Sequence, residues 1–160
     1  MSCDSVEVVH ADLDRTDHAD AIVELLEVLA QSADDTETLS AEVKQTLAAR
    51  LAGISGAVIL LATNGDAFVG LAVCLEGFST FKARPLLNIH DLVVHPDWQG
   101  RGVARKLLAR IEEEARSRGC CRLTLEVYAG NHRARDLYVR SGFKLGEPDS
   151  TAQFFLTRSL

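Results

Sequence analysis

The stretch HPDWQGRGVARKLL, residues 95–108, sets Gly100 and Gly102 between an apolar run and a helix-like pattern. Glycine reaches backbone conformations that other residues avoid, so a chain can pass close to a ligand there. The first N–H groups of a helix lack partners within it, and the helix dipole favours negative charge at that end. The chemistry predicted is anion binding, with phosphate the first candidate. Three phosphate loops compete. A Walker A loop needs GxxxxGK[ST], and the sequence has none. A dinucleotide fingerprint needs GxGxxG, but Arg105 stands where the third glycine would be. No acidic residue follows at about 20 residues either; Cys120 and Cys121 are there instead. The third form is QxxGxA, made by Gln99, Gly102 and Ala104. Its small residues let the backbone wrap a pyrophosphate. The bland alternative is a tight turn into a helix.

The elements around this turn read clearly. VEVV (6–9) is a first strand. Asp17 to Gln31 carries Ala21, Ile22, Leu25, Leu26, Val28 and Leu29 at helical spacing. Ser40 caps a second helix through about Leu51. AVILLAT (57–63) is a buried strand, NGD (64–66) a hairpin turn, and AFVGLAVCLEGF (67–78) the returning strand. PLLNIHDLVV (85–94) is the next strand. In the helix that follows, Val103, Leu107, Leu108, Ile111 and Ala115 share one face, and Gly119 stops it. LTLEV (123–127) is a strand. Asn131 caps a short helix bearing Ala134, Leu137 and Tyr138, which ends at Ser141-Gly142. Phe143 onward and QFFLT (153–157) are two last strands, split by EPDS (147–150). Strands first pair as a meander and later alternate with helices. A mixed sheet is therefore expected.

Length and composition narrow the function classes. A chain of 160 residues predicts one domain, spanning 1–160. The net charge of −6 speaks against a nucleic-acid partner and mildly for a cationic one. Its simplest role is solubility. Cys3, Cys74, Cys120 and Cys121 form no CxxC, so no metal site is expected. Reduced thiols in a cytoplasmic protein fit them better. The start, MSCDSVEVVHADLDR, lacks the basic and long apolar regions of a signal peptide, and no run is long enough to span a membrane.

Two motifs together carry a resemblance. LxVxPxxQGRGVAxxLL uses Leu92, Val94, Pro96 and Gln99 to Ala104. NxxAxxLYxxxGF uses Asn131, Ala134, Leu137, Tyr138, Gly142 and Phe143. Over residues 86–143 the chain resembles the GNAT superfamily of N-acetyltransferases. Gln99 stands where arginine is common and Ala104 where glycine often is; the contact there is largely backbone. The resemblance implies an α/β (α+β) GNAT fold: a mixed sheet of six or seven strands, flanked by four helices. It implies strands 86–94 and 122–127 splayed around acetyl-CoA, with the pantetheine arm near Leu92, Val93 and Val94. It implies a pyrophosphate on Gln99, Gly100, Arg101, Gly102, Val103 and Ala104. Arg101 and Arg105 either add charge there or are solvated. Tyr138 matches the family's acid for the departing thiolate; otherwise it packs its helix on the sheet. Asn131 meets the cofactor arm, caps the helix, or does both.

An alkyl amine is protonated near neutrality, because its pKa is roughly 10. A base must take that proton. In strand geometry Leu86, Asn88, His90, Leu92 and Val94 share a face, and Asn88 and His90 are polar intrusions on an apolar strand. His90 is either the base or a hydrogen-bonded core histidine. Asp91, on the other face, is the structural runner-up. Glu126 shares a face with Thr124 and Arg122 and is structural or substrate-facing.

GFSTFKARPLLNIHDLVV (77–94) is similar to the same stretch of diamine and thialysine acetyltransferases. Phe78, Ser79, Thr80 and Phe81 match their aromatic segment, and His90-Asp91 replaces their Glu-Asp pair. The replacement removes a negative charge that a polyamine would attract, and keeps a base in place. Phe78 and Phe81 either wall an acceptor pocket or belong to the core. The expected activity is acetyl transfer from acetyl-CoA to a primary amine of a small molecule by direct attack, in a cytoplasmic homodimer. The alternatives are a protein or peptide acetyltransferase acting on lysine or an N-terminus, an acyl-CoA-binding module without catalysis, and an acetyltransferase of charged tRNA. The net charge of −6 argues against the last.

Overall fold

The computed structural model of the chain describes residues 5–32, 38–145 and 153–159. Cys3 and the expected break at 147–150 lie outside these residues. The chain divides into two compact units, residues 1–73 with 91–107 and residues 74–90 with 108–160.

The first unit begins with β1 (Val6–His10), α1 (Thr16–Ser32), α2 (Ala41–Ala52) and β2 (Ala57–Asn64). It also holds most of the buried part of β3 (Ala67–Ser79), the end of β4 (Arg84–Val94) and the start of α3 (Val103–Ser117). The strands are hydrogen-bonded in the order β1-β2-β3. β1 lies antiparallel to β2, from Val6↔Asn64 to His10↔Leu60. β2 is buried from Val58 through Ala62, which is why it reads as an unbroken apolar run rather than an alternating one. Gly65 takes a φ of +58° at the turn into β3, within the 64–66 stretch where a hairpin turn was expected. α1 lays Ala21, Ile22 and Leu25 into a core with Ile59, Leu61, Leu71, Val73 and Val93. α2 buries no residue fully. It is started instead by Ser40, whose hydroxyl accepts from the Val43 N–H at 3.2 Å, and it leans Leu47 and Leu51 on that core. His18 is a satisfied core histidine: its Nδ1 accepts from the Asp12 N–H at 2.8 Å, and its ring meets Phe68 edge-on.

The second unit is ordered β3-β4-β5-β7-β6, with β5 (Arg122–Tyr128), α4 (His132–Arg140), β6 (Lys144–Leu145) and β7 (Gln153–Ser159). β4 and β5 are parallel, and α3 supplies the crossover between them. β7 is antiparallel to both β5 and β6. The α3 stripe read from the sequence is buried as expected at Val103, Leu107, Leu108, Ile111 and Ala115. Gly119 ends the helix at a φ of +69°. Arg84 reinforces that end by donating through Nε and Nη2 to the Gly119 carbonyl, at 3.2 and 3.0 Å. Among the described residues, seven strands and four helices make the mixed α/β architecture that was expected.

Candidate active site

The glycine turn is held from both sides. Where β4 ends, the His95 N–H donates to the Val69 carbonyl at 2.9 Å. Pro96–Trp98 then forms a single 3₁₀ turn, and Trp98 is buried. Gln99 Nε2 reaches back to the Val94 carbonyl at 3.2 Å. Gly100 and Gly102 take φ values of +75° and +84°, which L side chains rarely adopt. A Cβ at Gly100 would meet nothing within 4 Å, so conformation and not crowding requires this glycine. The Lys106 N–H is the first in the turn to bond back, to the Gly102 carbonyl at 3.1 Å. The N–H groups just before it are those a helix start leaves to other acceptors. The first turn of α3 carries no acidic side chain. Arg101 stacks over the Trp98 ring at 5.4 Å, and Arg101 and Arg105 both sit at the exposed start of the helix. Gly70 brings α3 close: a Cβ there would lie 3.1 Å from Leu107, 3.2 Å from Val103 and 3.2 Å from the Val93 carbonyl. The start of α3 is thereby pressed onto β3 beside the end of β4. Trp98 and Gly70 were not read as site residues from the sequence. Trp98, the chain's one tryptophan, between Pro96 and Gln99 was the available signal.

The second unit holds the other candidates. Asn131 Oδ1 accepts from the Ala134 N–H at 3.1 Å, so the expected cap of α4 is present. Tyr138 is buried at 8% exposure and meets Phe143 edge-to-face at 5.8 Å. The turn after α4 grips Tyr138 by its backbone. Its carbonyl accepts from the N–H groups of Ser141 and Phe143, each at 3.0 Å, while Gly142 takes a φ of +87°. Burial pushes the Tyr138 phenol up to about 12. The group therefore stays protonated across the physiological range.

β4 and β5 pair at Leu87↔Leu123, Asn88↔Thr124 and Ile89↔Leu125. β4 runs on to Val94 and β5 to Tyr128. Asn88 Nδ2 donates to the buried Thr124 Oγ1 at 3.0 Å, which places the two side chains on one face. By alternation His90 and Glu126 lie on that face, and both are exposed. The core reading of His90 is thus corrected. Leu87, Ile89 and Val93 are the buried positions of β4, and His90 belongs to the other set. The core reading of Phe78 and Phe81 is corrected as well, since they are 63% and 99% exposed. Gly77 abuts Leu86, with a Cβ-to-Cδ1 approach of 3.1 Å, so it shares the Asn88–His90 face and Phe78 points to the opposite one. Leu92 and Val94 are half-buried, Val93 is buried, and Asp91 is half-buried. Among the described residues no group of three His, Cys, Asp or Glu could hold a metal ion, and no helix is long and apolar enough to cross a membrane.

A family model described as the acetyltransferase (GNAT) family matches residues 20–143. A thialysine N-epsilon-acetyltransferase of Bos taurus is 35% identical over 79 residues, which are 49% of this chain and 46% of that protein. The match thus spans about half the length of that relative. Among solved structures, yncA of Salmonella typhimurium with acetyl-CoA aligns at a TM-score of 0.79 and 20% identity, over 98% of this chain and 94% of that one. A chain of the NatC complex bound to Gag peptide and CoA aligns at 0.75 and 20% identity, over 100% and 99%. Likenesses at such identity establish the fold.

Proposed function

Because this chain belongs to the acetyltransferase (GNAT) family, we propose that it is an acetyl-CoA-dependent N-acetyltransferase acting on the primary amine of a small molecule by direct attack in a ternary complex. The observation that carries the reading is Tyr138. A buried phenol held at about 12 keeps its proton at working pH, as a donor to a departing thiolate must. It stands at the place in NxxAxxLYxxxGF where the resemblance puts that donor.

The residues present suit coenzyme A. Two glycines at positive φ and a helix start free of acidic side chains favour the pyrophosphate on the backbone of Gln99, Gly100, Arg101, Gly102, Val103 and Ala104. Arg101 and Arg105 add positive charge at that start. The half-buried edge of β4 at Leu92, Val93 and Val94 suits the pantetheine arm. Acetyl-CoA supplies an acyl group activated by its bond to sulfur. His90, exposed on β4, takes the proton of the incoming ammonium. Asn131 spends its carbonyl oxygen on the α4 cap, so its role toward the cofactor arm would fall to its NH₂. Asn88 and Glu126, on the His90 face, are the acceptor-side residues of this reading. Phe81, fully exposed beyond β3, is a weaker one, and Phe78, on the opposite face, weaker still. A homodimer and a cytoplasmic setting belong to the same reading.

The test is thiol release from acetyl-CoA across polyamines, lysine and thialysine, other amino acids, aminoglycosides and short peptides. Turnover of one class of free amine is the expected result. Turnover of peptides alone would replace the reading with a protein or peptide acetyltransferase. A rise in melting temperature with acetyl-CoA, but no transfer to any acceptor, would replace it with a binding module.

A further inference from the structure

Tyr138 is useful as a proton donor only if its ring is held in one place, and the turn that holds it rests on an ion cluster from distant parts of the sequence. Gly142 lies in that turn. A Cβ there would come within 3.2 Å of Arg158 Nε, 3.6 Å of Cδ and 3.7 Å of Cζ. The arginine side chain therefore packs directly against the turn. Arg158 is itself fixed. Its Nη1 lies 2.6 Å from Glu112 Oε2 on α3, and the other carboxylate oxygen of Glu112 accepts from Arg116 Nη2 at 2.8 Å. Both partners are mostly shielded, with side-chain exposures of 25% for Arg158 and 19% for Glu112. A shielded pair with both carboxylate oxygens engaged is a firmer strut than a surface ion pair.

We propose that Arg158 and Glu112 are positioning residues for Tyr138, clamping the Ser141–Phe143 turn so that the phenol keeps one orientation. The proposal rests on the reading of Tyr138 as the proton donor. No bond is made or broken by the clamp. Its effect passes through the turn, whose Ser141 and Phe143 N–H groups bind the Tyr138 carbonyl and whose Phe143 ring packs on the tyrosine. A displacement of about 1 Å in a reacting group can cost on the order of 100-fold in rate, so a loosened clamp is expected to register in turnover.

The test compares Arg158→Met, which keeps the apolar stem, with the milder Glu112→Gln. Each is made in the wild-type chain and in Tyr138→Phe. In the wild-type background each is expected to lower kcat by roughly tenfold or more while leaving the KM for acetyl-CoA unchanged. In the Tyr138→Phe background the same changes should have little effect, because the group they position is gone. Equal losses in both backgrounds, or no loss in either, would overturn the proposal. Should the unaltered chain turn over no acceptor, the functional reading fails and the clamp is judged separately. The chain has two tyrosines, Tyr128 and Tyr138, so NMR of tyrosine-labelled protein resolves their rings. Glu112→Gln is expected to shift the Tyr138 ring signals and leave those of Tyr128. Unmoved Tyr138 signals would remove the clamp.

Discussion

Tyr138 and His90 divide the proton work in this account, and each can be tested alone. Tyr138→Phe keeps the ring against Phe143 and removes the proton. A loss of about 10²–10⁴-fold in kcat is expected, with acetyl-CoA affinity kept by calorimetry. Unchanged turnover would return Tyr138 to a packing role. His90→Ala should alter the acidic limb of the kcat/KM profile, because a base must be unprotonated to act. An identical profile would take His90 out of the chemistry. The place of Tyr138 in the fold was legible because the frame from Asn131 to Phe143 is local and each residue has a distinct job: cap, apolar face, turn glycine. The exposure of His90 was not legible. Alternation says which residues share a face, but the face that is covered depends on elements far along the chain. Phe78 and Phe81 failed as core residues for the same reason. Glu112 and Arg158 meet across 46 positions, with nothing local to pair them.

At the scale of elements, the proposed reading puts the positioning at the starts of α3 and α4. Gly100→Ala would force a residue with a Cβ into a left-handed conformation, at a cost of roughly 1–2 kcal/mol. No crowding adds to this, because a Cβ there has open space. Acetyl-CoA should therefore bind roughly tenfold more weakly to Gly100→Ala, by titration calorimetry, if the turn needs its present shape to bind. Equal affinity would make the turn a plain helix entry. Asn131→Ala removes a cap and should cost about 1 kcal/mol of stability in denaturant melts. Helix and strand positions were read to within a residue or two, because their hydrophobic periods are strong. The single turn Pro96–Trp98 was missed, because three residues carry no period.

The whole molecule carries a linkage between Tyr138 and stability. Its phenol holds its proton more tightly folded, at about 12, than in its ordinary state at 10.0. The stabilisation linked to that shift is full below pH 10 and is lost as pH rises toward 12. The melting temperature of the wild type should thus fall more steeply than that of Tyr138→Phe across this window. Parallel curves would mean that the phenol is not buried in solution. Glu112 has the opposite sign. Burial raises its carboxyl, but the Arg116 and Arg158 guanidiniums outweigh this and hold it below the usual range. Its contribution is present above the ordinary carboxylate pKa and lost as pH falls through the lowered one.

The central claim is direct acetyl transfer within a ternary complex. The measurement that bears on it most directly is initial rate over a grid of acetyl-CoA and acceptor-amine concentrations, read as released CoA and acetylated amine together. The account predicts double-reciprocal lines that intersect, equal amounts of the two products, and no CoA release without amine. Parallel lines, which signal a covalent acetyl-protein and not direct attack, or CoA released with no acetylated amine, would contradict it.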